Sequence, residues 1–293
     1  MNTIVTHNHS FHADDVFACA TLLLLFKGAS IIRTRDPQII SNADIVLDVG
    51  LTYDEEKNRF DHHQKGGALT RENGIPYASF GLVWKKFGSS LCGGDDIASV
   101  IEKKLVMPID AIDSGKSISK SLVEDVSDYN LSSVIGAMNP TSFEVDKTYD
   151  KEFLKAVDFA KLLIEREIAG TKEALAFKEY FLDEVKKSPD SRYVVLEKEI
   201  SRYIWQQYTK DFPELLFVVV PREETWSLRA VRKDSSSFEN RKDLPLAWSG
   251  KSNEELQEVT GVKDALFCHN ARFVASTKTK EGILTLLEQA LKE

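Results

Sequence analysis

Residues 43–50 read ADIVLDVG, a short apolar run that closes on an aspartate and a glycine. Its centre, Ile45, Val46 and Leu47, predicts a strand buried on both faces, as is typical inside a parallel sheet. Asp48 then lies at the carboxyl end of that strand. Because ligands bind at this end of the strands in open α/β sheets, Asp48 is the first candidate for a functional residue.

Segments on either side of this run alternate between strand and helix patterns. We predict strands at Thr3–Thr6, Ser30–Arg33 and Arg59–His62 and helices at about Asp14–Lys27, Ser79–Phe87 and Asp95–Lys104. This alternation predicts an α/β fold, with a mostly parallel sheet and flanking helices.

The pattern changes after Asn139-Pro140. Residues Asp146 to Lys187 form a long, charged, amphipathic helical segment, with a break expected near Gly170. Beyond it, strands are predicted at Tyr193–Leu196, Leu215–Val220, Ser227–Val231 and Ala271–Ser276, and helices at Asn253–Thr260 and Lys280–Lys292. We therefore expect a catalytic domain over residues 1–140, a helical connector over 141–190 and a smaller α+β domain over 191–293.

Composition narrows the classes of function. The chain has 293 residues, of which 42% are hydrophobic, enough for a full core, and its net charge is -8. That charge argues against non-specific wrapping of duplex nucleic acid, although bound cations could still hold a small phosphate-bearing substrate or a short strand. Three widely spaced cysteines indicate a reducing compartment, and no signal or membrane-spanning pattern is present. The cytoplasm, with no membrane partner, is therefore expected.

Histidines are concentrated near the start of the chain. Five of the six lie within the first 63 residues: His7, His9, His12, His62 and His63. They are interleaved with four aspartates: Asp14, Asp15, Asp48 and Asp61. Imidazoles and carboxylates without a thiolate suit Mn²⁺, Mg²⁺, Fe²⁺ or Co²⁺ better than structural Zn²⁺. Two such cations would offset the repulsion among the aspartates and could promote hydrolysis of a phosphoester.

These residues follow different strands, so the sheet would bring them to one edge. Asp113, after the apolar segment from Leu105 to Ile112, could join them. Ordinary interpretations stay open for several members. His9 could be an ordinary loop residue, Asp15 an acid in the first turn of a helix, and Asp61 a cap at the end of a strand. Asp61 or Asp110 could also orient the metal ligands rather than bind metal themselves.

In the last domain, a cluster of cations lies near Trp226, and such residues suit phosphate contact and base stacking. Its members are Arg229, Arg232, Lys233 and Arg241. A solvated strand edge is the alternative. His269 lies near a predicted strand end, with Arg272 and Lys278 close in sequence. Together with His63, the candidates for substrate contact are Arg241, His269 and Lys278.

Four motifs resemble the DHH phosphoesterase superfamily: His7-x4-His12-x-Asp14, Asp48-Val49-Gly50, Asp61-His62-His63-Gln64 and Asp110-Ala111-Ile112-Asp113-Ser114-Gly115. Further stretches make the chain similar, more closely, to the Myg family (melanocyte proliferating gene proteins). Among them are Arg33-Thr34-Arg35-Asp36-Pro37, Ser237-Phe238 and Thr279-Lys280-Glu281-Gly282. The resemblance extends over essentially the whole chain.

The resemblance implies a DHH-type N-terminal domain that holds two metal ions and a C-terminal domain that closes over the substrate. It implies that one ion is bound by His7, His12 and Asp48, and the other by Asp14, Asp48, His62 and Asp113. Asp48 would bridge the two ions, and His63 would face the substrate phosphate, which makes Asp48 and His63 the catalytic candidates. For the Myg family it also implies a 3′–5′ exonuclease acting on RNA.

The main hypothesis is therefore a metal-dependent phosphodiesterase, a 3′–5′ exonuclease on short single-stranded RNA or oligonucleotides. Two divalent cations are expected, Mn²⁺ first, with Mg²⁺, Fe²⁺ or Co²⁺ as alternatives. One alternative function is a hydrolase of small nucleotides or polyphosphates. Another is a metal-binding regulatory protein without turnover. The sequence leaves open whether the chain forms a homodimer.

Overall fold

The computed structural model describes residues 2–234 and 237–293 and has a mixed α/β fold with two five-stranded sheets. The chain divides into two compact units, Met1–Thr171 and Lys172–Glu293, which we call unit 1 and unit 2. The predicted fold class, an α/β part followed by a smaller α+β part, is confirmed. The assignment of catalytic, connecting and substrate-binding roles to residues 1–140, 141–190 and 191–293 stays a prediction.

Unit 1 is built on a mostly parallel sheet. Its strands are β1 (Thr3–Thr6), β2 (Ser30–Arg33), β3 (Ile45–Leu47), β4 (Tyr53–Asp54) and β5 (Arg59–Phe60). They lie in the order β2-β1-β3-β5-β4, and only the pairing of β4 with β5 is antiparallel. The helices are α1 (Ala13–Leu25), α2 (Pro37–Asn42), α3 (Ser79–Cys92), α4 (Asp95–Ile101), α5 (Met107–Asp113), α6 (Leu131–Ala137) and α7 (Tyr149–Lys187).

The middle strand of this sheet is β3, and it is covered on both sides, as its apolar sequence predicts. Ile45 and Leu47 belong to the main core of unit 1, while Val46 packs in a smaller cluster with Val5 and Val49. The carboxyl end of β3 is therefore held rigidly at the centre of the sheet edge. Asp48 follows at that point.

The helix α7 runs without interruption from Tyr149 to Lys187, so the break expected near Gly170 is wrong. An internal glycine costs a helix only about 1 kcal/mol, which packing readily offsets. Apolar side chains on either side supply that packing, with Ile168 in the core of unit 1 and Ala174 in a core of unit 2. A second difference is a π-helical turn at Glu102–Val106, where the sequence predicted the end of a regular helix.

Unit 2 contains a mostly antiparallel sheet. Its strands are β6 (Tyr193–Val195), β7 (Phe217–Arg222), β8 (Thr225–Ala230), β9 (Ala265–Cys268) and β10 (Val274–Thr277), in the order β6-β7-β8-β10-β9. Its further helices are α8 (Arg202–Trp205), α9 (Asn253–Thr260) and α10 (Lys280–Lys292). One sheet face packs against α9 and α10 through a core that includes Leu228, Ala230 and Leu256. In the part of the chain that the structure describes, no helix is long and apolar enough to cross a bilayer.

Candidate metal centre

The residues with metal-ligating side chains lie where the strands of unit 1 end. His7 directly follows β1, Asp48 directly follows β3, and His62 comes two residues after β5. Two helices add carboxylates, since Asp14 lies in the first turn of α1 and Asp113 is the last residue of α5. The structure thus brings together side chains that lie far apart in sequence. Their role as ligands stays a prediction.

Asp48 lies between two imidazoles. Its Oδ2 is 3.2 Å from His7 Nε2, and its Oδ1 is 3.2 Å from His62 Nε2. The same His62 Nε2 lies 3.3 Å from Asp113 Oδ2 and 3.7 Å from Asp14 Oδ2. One carboxylate therefore joins the two predicted ligand sets, as expected of a bridging ligand.

Three groups of side chains at this edge could each hold a metal ion, because one donor atom from every member lies within 4.8 Å of the others. The groups are His7 with His12 and Asp48, Asp48 with His62 and His63, and His12 with Asp14 and Asp113. They overlap at Asp48 and His12, so the donors form one continuous cluster. All six predicted ligands belong to it, and His63 belongs to it as well.

Burial makes this cluster electrostatically costly. Asp14 is fully buried, and burial together with the charges of Asp48 and Asp113 holds its pKa well above the usual range. Burial and the charge of Asp48 also raise the pKa of Asp15 to about 7. Burial alone would raise the pKa of Asp48, but the adjacent imidazoles of His62 and His7 lower it below its ordinary value. The site concentrates buried carboxylates that favour a nearby positive charge.

Unpaired polar atoms show that divalent cations fit this donor set. Both carboxylate oxygens of Asp14 are buried without a hydrogen-bond partner. Nε2 of His62 faces three carboxylates at 3.2 to 3.7 Å, but none of these contacts has hydrogen-bond geometry. Buried polar groups are almost always satisfied, so these atoms indicate donors arranged for an ion. Oxygen and imidazole donors suit Mn²⁺ or Mg²⁺.

The backbone after β3 adopts an uncommon conformation. Asp48 has φ of 54°, in the left-handed region that residues other than glycine seldom occupy. Gly50 has φ of 96°, and a Cβ there would meet the Ile40 side chain at 3.2 Å. Strain of this kind persists where the surrounding structure enforces it, commonly at functional sites. Here it places the Asp48 carboxylate between the two histidines.

The structure places other acids around the cluster as supports. Asp61 accepts hydrogen bonds from the backbone N–H groups of Leu51 (2.6 Å) and His63 (3.0 Å), and its Oδ1 lies 2.9 Å from His63 Nδ1. Asp15 accepts a hydrogen bond from the His12 backbone N–H at 2.9 Å. The contacts of Asp61 therefore favour orientation of His63 over direct binding. Asp15 Oδ2 is buried without a hydrogen-bond partner, 3.3 Å from His7 Nε2, so Asp15 also faces the cluster.

Asp110 and His9 belong to none of the three candidate metal-binding groups. Asp110 accepts a hydrogen bond from the Gly81 backbone N–H at 3.0 Å and pairs with Arg71. His9 is exposed, and its ring packs edge-on against Tyr149, 6.3 Å between centroids. The loop interpretation of His9 therefore accounts for its position.

A cavity of about 840 Å³ opens beside the cluster. One part of the cavity is lined by members of the cluster, and another is an apolar wall. The cluster members are His7, His12, Asp48 and His63, and the apolar residues are Ile40, Val46 and Val49.

The cavity is also lined by three basic residues: Arg35, Lys57 and Arg59. Arg59 donates to the backbone carbonyls of Ala43 and Lys57, whereas Arg35 is exposed just after β2. Sequence reasoning did not select Arg35, although its place at the end of a parallel strand was a usable signal.

The predicted substrate contacts of unit 2 have varied surroundings. Arg241 donates through Nη1 to the carbonyls of Phe212 (2.5 Å) and Leu215 (2.9 Å), and through Nη2 to that of Thr209 (2.9 Å). These bonds give Arg241 a structural role. Lys278 is exposed directly after β10, and the His269 ring packs against Phe273 at a tilt of 45°, with centroids 4.3 Å apart. Substrate contact by these residues stays a prediction.

The cation cluster differs from the sequence prediction in one respect. Trp226 packs against the core beneath α10, where Lys280 lies over its ring. Residues alternate between the faces of a strand, so Arg229 projects to the opposite face of β8. Trp226 therefore does not accompany Arg229 on one surface.

Comparisons with known proteins agree over the full length of the chain. A family model named MYG1_exonuc, described as an uncharacterised protein family (UPF0160), matches residues 3–291. The MYG1 exonuclease of Homo sapiens is 30% identical over 331 residues, covering 99% of this chain and 86% of that protein. The MYG1 protein of Chlamydia trachomatis is 30% identical over 298 residues, covering 99% of this chain and 97% of that protein.

Solved structures show weaker likeness. RecJ in complex with Mg²⁺ from Thermus thermophilus has a TM-score of 0.31 and 11% identity, covering 99% of this chain and 50% of that one. An uncharacterized protein from Helicobacter pylori G27 has the same TM-score and identity, covering 100% of this chain and 99% of that one. Likeness at this level supports no inference about the site.

Proposed function

Because this chain belongs to the MYG1 exonuclease family and is a hydrolase of the nuclease and phosphoesterase class, we propose that it removes nucleotides from the 3′ end of short single-stranded RNA or related oligonucleotides. The observation that carries the proposal is the partly buried histidine and aspartate cluster, which opens into a cavity of about 840 Å³. Cavities of about 300–1,000 Å³ are typical of small-ligand sites, so this one suits the end of a strand.

We assign two divalent cations to the cluster, with Mn²⁺ as the first candidate. His7, His12 and Asp48 would hold one, and Asp14, Asp48, His62 and Asp113 the other. When bound, such ions supply Lewis-acid polarisation of the phosphoryl oxygens and lower the pKa of water. Asp48 keeps the two ligand sets in register because its two oxygens face His7 and His62 separately.

His63 is the residue that we assign to the substrate phosphate. Its Nδ1 lies 2.9 Å from Asp61 Oδ1, which fixes the orientation of the ring, and its side chain is 55% exposed. Across residues 2–234 and 237–293, Nε2 has no hydrogen-bond partner, so in the imidazolium form, with Nδ1–H donating to Asp61, His63 can donate from Nε2 to a phosphate oxygen. A donor held in place by its own carboxylate stabilises charge that develops during phosphoryl transfer.

Cleavage of a short single-stranded RNA that carries a fluorophore at its 5′ end tests the proposed direction. With Mn²⁺ present, we expect a ladder of labelled products that shorten progressively, because nucleotides leave from the opposite end. Excess chelator should abolish the ladder. Release of the labelled terminal nucleotide first would contradict the direction. Hydrolysis of free nucleotides or polyphosphates with no cleavage of the strand would favour the alternative substrate class.

Replacing His63 by asparagine should lower kcat by about a hundredfold while Mn²⁺ affinity stays close to that of the wild type, because His63 is assigned to substrate rather than metal. Calorimetric Mn²⁺ titration beside steady-state kinetics separates these effects. His9→Asn is the matched control, since His9 lines the same cavity. A parallel loss of Mn²⁺ binding in His63→Asn would identify His63 as a ligand instead.

The cytoplasmic location and a homodimeric state stay predictions. Size-exclusion chromatography with light scattering would determine the oligomeric state.

A further inference from the structure

Four arginines lie on the side of the unit 2 sheet opposite α9 and α10, beside a core in which α7 and α8 cover Val218 and Val220. We call this surface the arginine face and define it by Arg202, Arg222, Arg229 and Arg232. Arg229 pairs across the sheet with Val218 of β7 and Val274 of β10, so its side chain shares a face with theirs. Its neighbours Leu228 and Ala230 point into the core on the other face. Strand alternation therefore sets Arg229 on the arginine face, where the charges of Arg222 and Arg202 are close enough to affect it.

The charges of the arginine face are poorly balanced. Among residues 2–234 and 237–293, no carboxylate forms an ion pair with Arg202, Arg229 or Arg232, and Arg222 reaches only Glu199, at 3.5 Å. Nε of Arg232 is buried without a hydrogen-bond partner. Partial burial, followed by the charges of Arg222 and Arg202, lowers the pKa of Arg229 to about 10. Like charges held together in this way favour a bound polyanion.

Aromatic rings are interleaved with these cations. The Arg202 guanidinium lies 5.4 Å from the centre of the Phe273 ring, and that of Arg232 lies 4.5 Å from the Phe238 ring. Phe238 is 86% exposed, and Tyr203, beside Arg202, is 84% exposed. Both rings are therefore open to a flat apolar partner.

Alternating guanidinium groups and open aromatic rings match the chemistry of single-stranded nucleic acid. Phosphates pair with arginines, and unstacked bases pack on the rings whatever their sequence. A duplex keeps its bases stacked inside and would leave the rings unused. Polyphosphate offers charge but no flat apolar group. Among these polyanions, a single strand alone uses both kinds of side chain.

We propose that the arginine face is an anchoring surface that binds single-stranded nucleic acid, with Arg229 as one of its phosphate contacts. The inference rests on the proposed function in that the anchored strand is the substrate class assigned there. Anchoring itself involves no bond cleavage and uses none of the metal-binding residues. It can therefore be measured when hydrolysis is stopped.

The test uses the full chain in excess chelator and follows the fluorescence anisotropy of a labelled single-stranded RNA. Arg229→Gln should weaken binding about tenfold and reduce the salt dependence of log K by about 0.7, the value for one phosphate contact on a single strand. Arg202→Gln should act in the same direction. Duplex RNA of equal length and inorganic polyphosphate should bind more weakly than the single strand. Equal binding of polyphosphate would show that the arginine face binds anions in general, which would contradict the proposed preference for a single strand.

Lys292→Gln is the matched control, since it removes one positive charge from α10, which packs on the opposite sheet face. Wild-type affinity in Arg229→Gln would overturn the inference. Misfolding is not expected to mimic the result, because removing an unpaired, half-buried charge does not break an ion pair, and thermal unfolding checks this directly. If the protein binds the strand through Arg229 but does not hydrolyse it with Mn²⁺ present, the proposed function is contradicted and the anchoring surface is supported. If it hydrolyses the strand but binding does not depend on Arg229, the anchoring surface is contradicted and the proposed function is supported.

Discussion

Replacing Asp48 by asparagine is expected to reduce hydrolysis by about a thousandfold or more, the largest loss for any single side chain of the cluster. Asp48 is the residue whose oxygens contact both His7 and His62, each at 3.2 Å. Asp48 is also buried, and the Ser79 hydroxyl donates a hydrogen bond to its Oδ1 at 3.2 Å. Because the side chain is enclosed in this way, no neighbouring carboxylate can readily take its place in the variant. Asparagine keeps the shape but loses the charge and one acceptor oxygen. Both predicted cation sites would therefore be weakened at once.

The measurement is kcat for RNA cleavage at saturating Mn²⁺, together with Mn²⁺ affinity by calorimetry and circular dichroism to confirm folding. Asp54→Asn is the matched control, because Asp54 lines the same cavity and its ion pair is with exposed Lys57. An exposed pair contributes little, so this variant should keep nearly full activity. More than a tenth of wild-type turnover in Asp48→Asn would contradict the assignment of Asp48 as the shared ligand.

Sequence alone predicted which residues converge because the rule for parallel sheets depends only on strand ends. His7, Asp48 and His62 each follow a short strand, and adjacent parallel strands place such residues at one edge. The supporting contacts were not predictable in the same way. Asp61 bonds to the Leu51 backbone ten residues away, through a left-handed turn that the sequence pattern does not specify.

The fold shows the same division between local and long-range information. The bounds of α9 and α10 agree with the prediction because local signals end or begin them, such as left-handed Gly261 after α9 and the Thr279 cap before α10. The strands β4 and β9 and the helices α2, α5, α6 and α8 were missed. Each is short and is stabilised by its neighbours in the sheet or core rather than by its own periodicity.

A buried ion pair links three parts of unit 1. Arg71 Nη2 lies 2.8 Å from Asp110 Oδ2, in a contact without hydrogen-bond geometry, and Arg71 Nε donates to Glu102 at 2.9 Å. The Arg71 guanidinium also lies 3.7 Å from the centre of the Tyr77 ring. Gly81 approaches so closely that a Cβ there would overlap the Asp110 carboxylate. Through Gly81 and Asp110, the pair connects the first turn of α3 to α5, which ends in Asp113.

Replacing Arg71 by methionine should destabilise unit 1 by about 3–5 kcal/mol at pH 8, because it leaves the Asp110 charge buried without its partner. Burial already raises the pKa of Asp110 from 3.8 to about 7, although Arg71 opposes the shift. A carboxyl whose pKa is raised by folding takes up a proton more readily in the folded state. Its protonation therefore favours folding below pH 4, and this contribution is lost as the pH rises through 7.

Without Arg71 the pKa of Asp110 rises further, so at pH 5 the variant holds a neutral carboxyl and loses mainly packing. The difference between variant and wild type should therefore be large at pH 8 and shrink markedly at pH 5. Urea unfolding at both pH values, followed by hydrogen exchange in peptides of unit 1, measures it. Arg192→Met, which removes an exposed pair with Asp190, is the control and should show little effect at either pH. Adding Asp110→Asn to Arg71→Met should recover stability at pH 8. If Arg71→Met alone lowers the free energy of unfolding equally at both pH values, packing rather than the buried charge dominates.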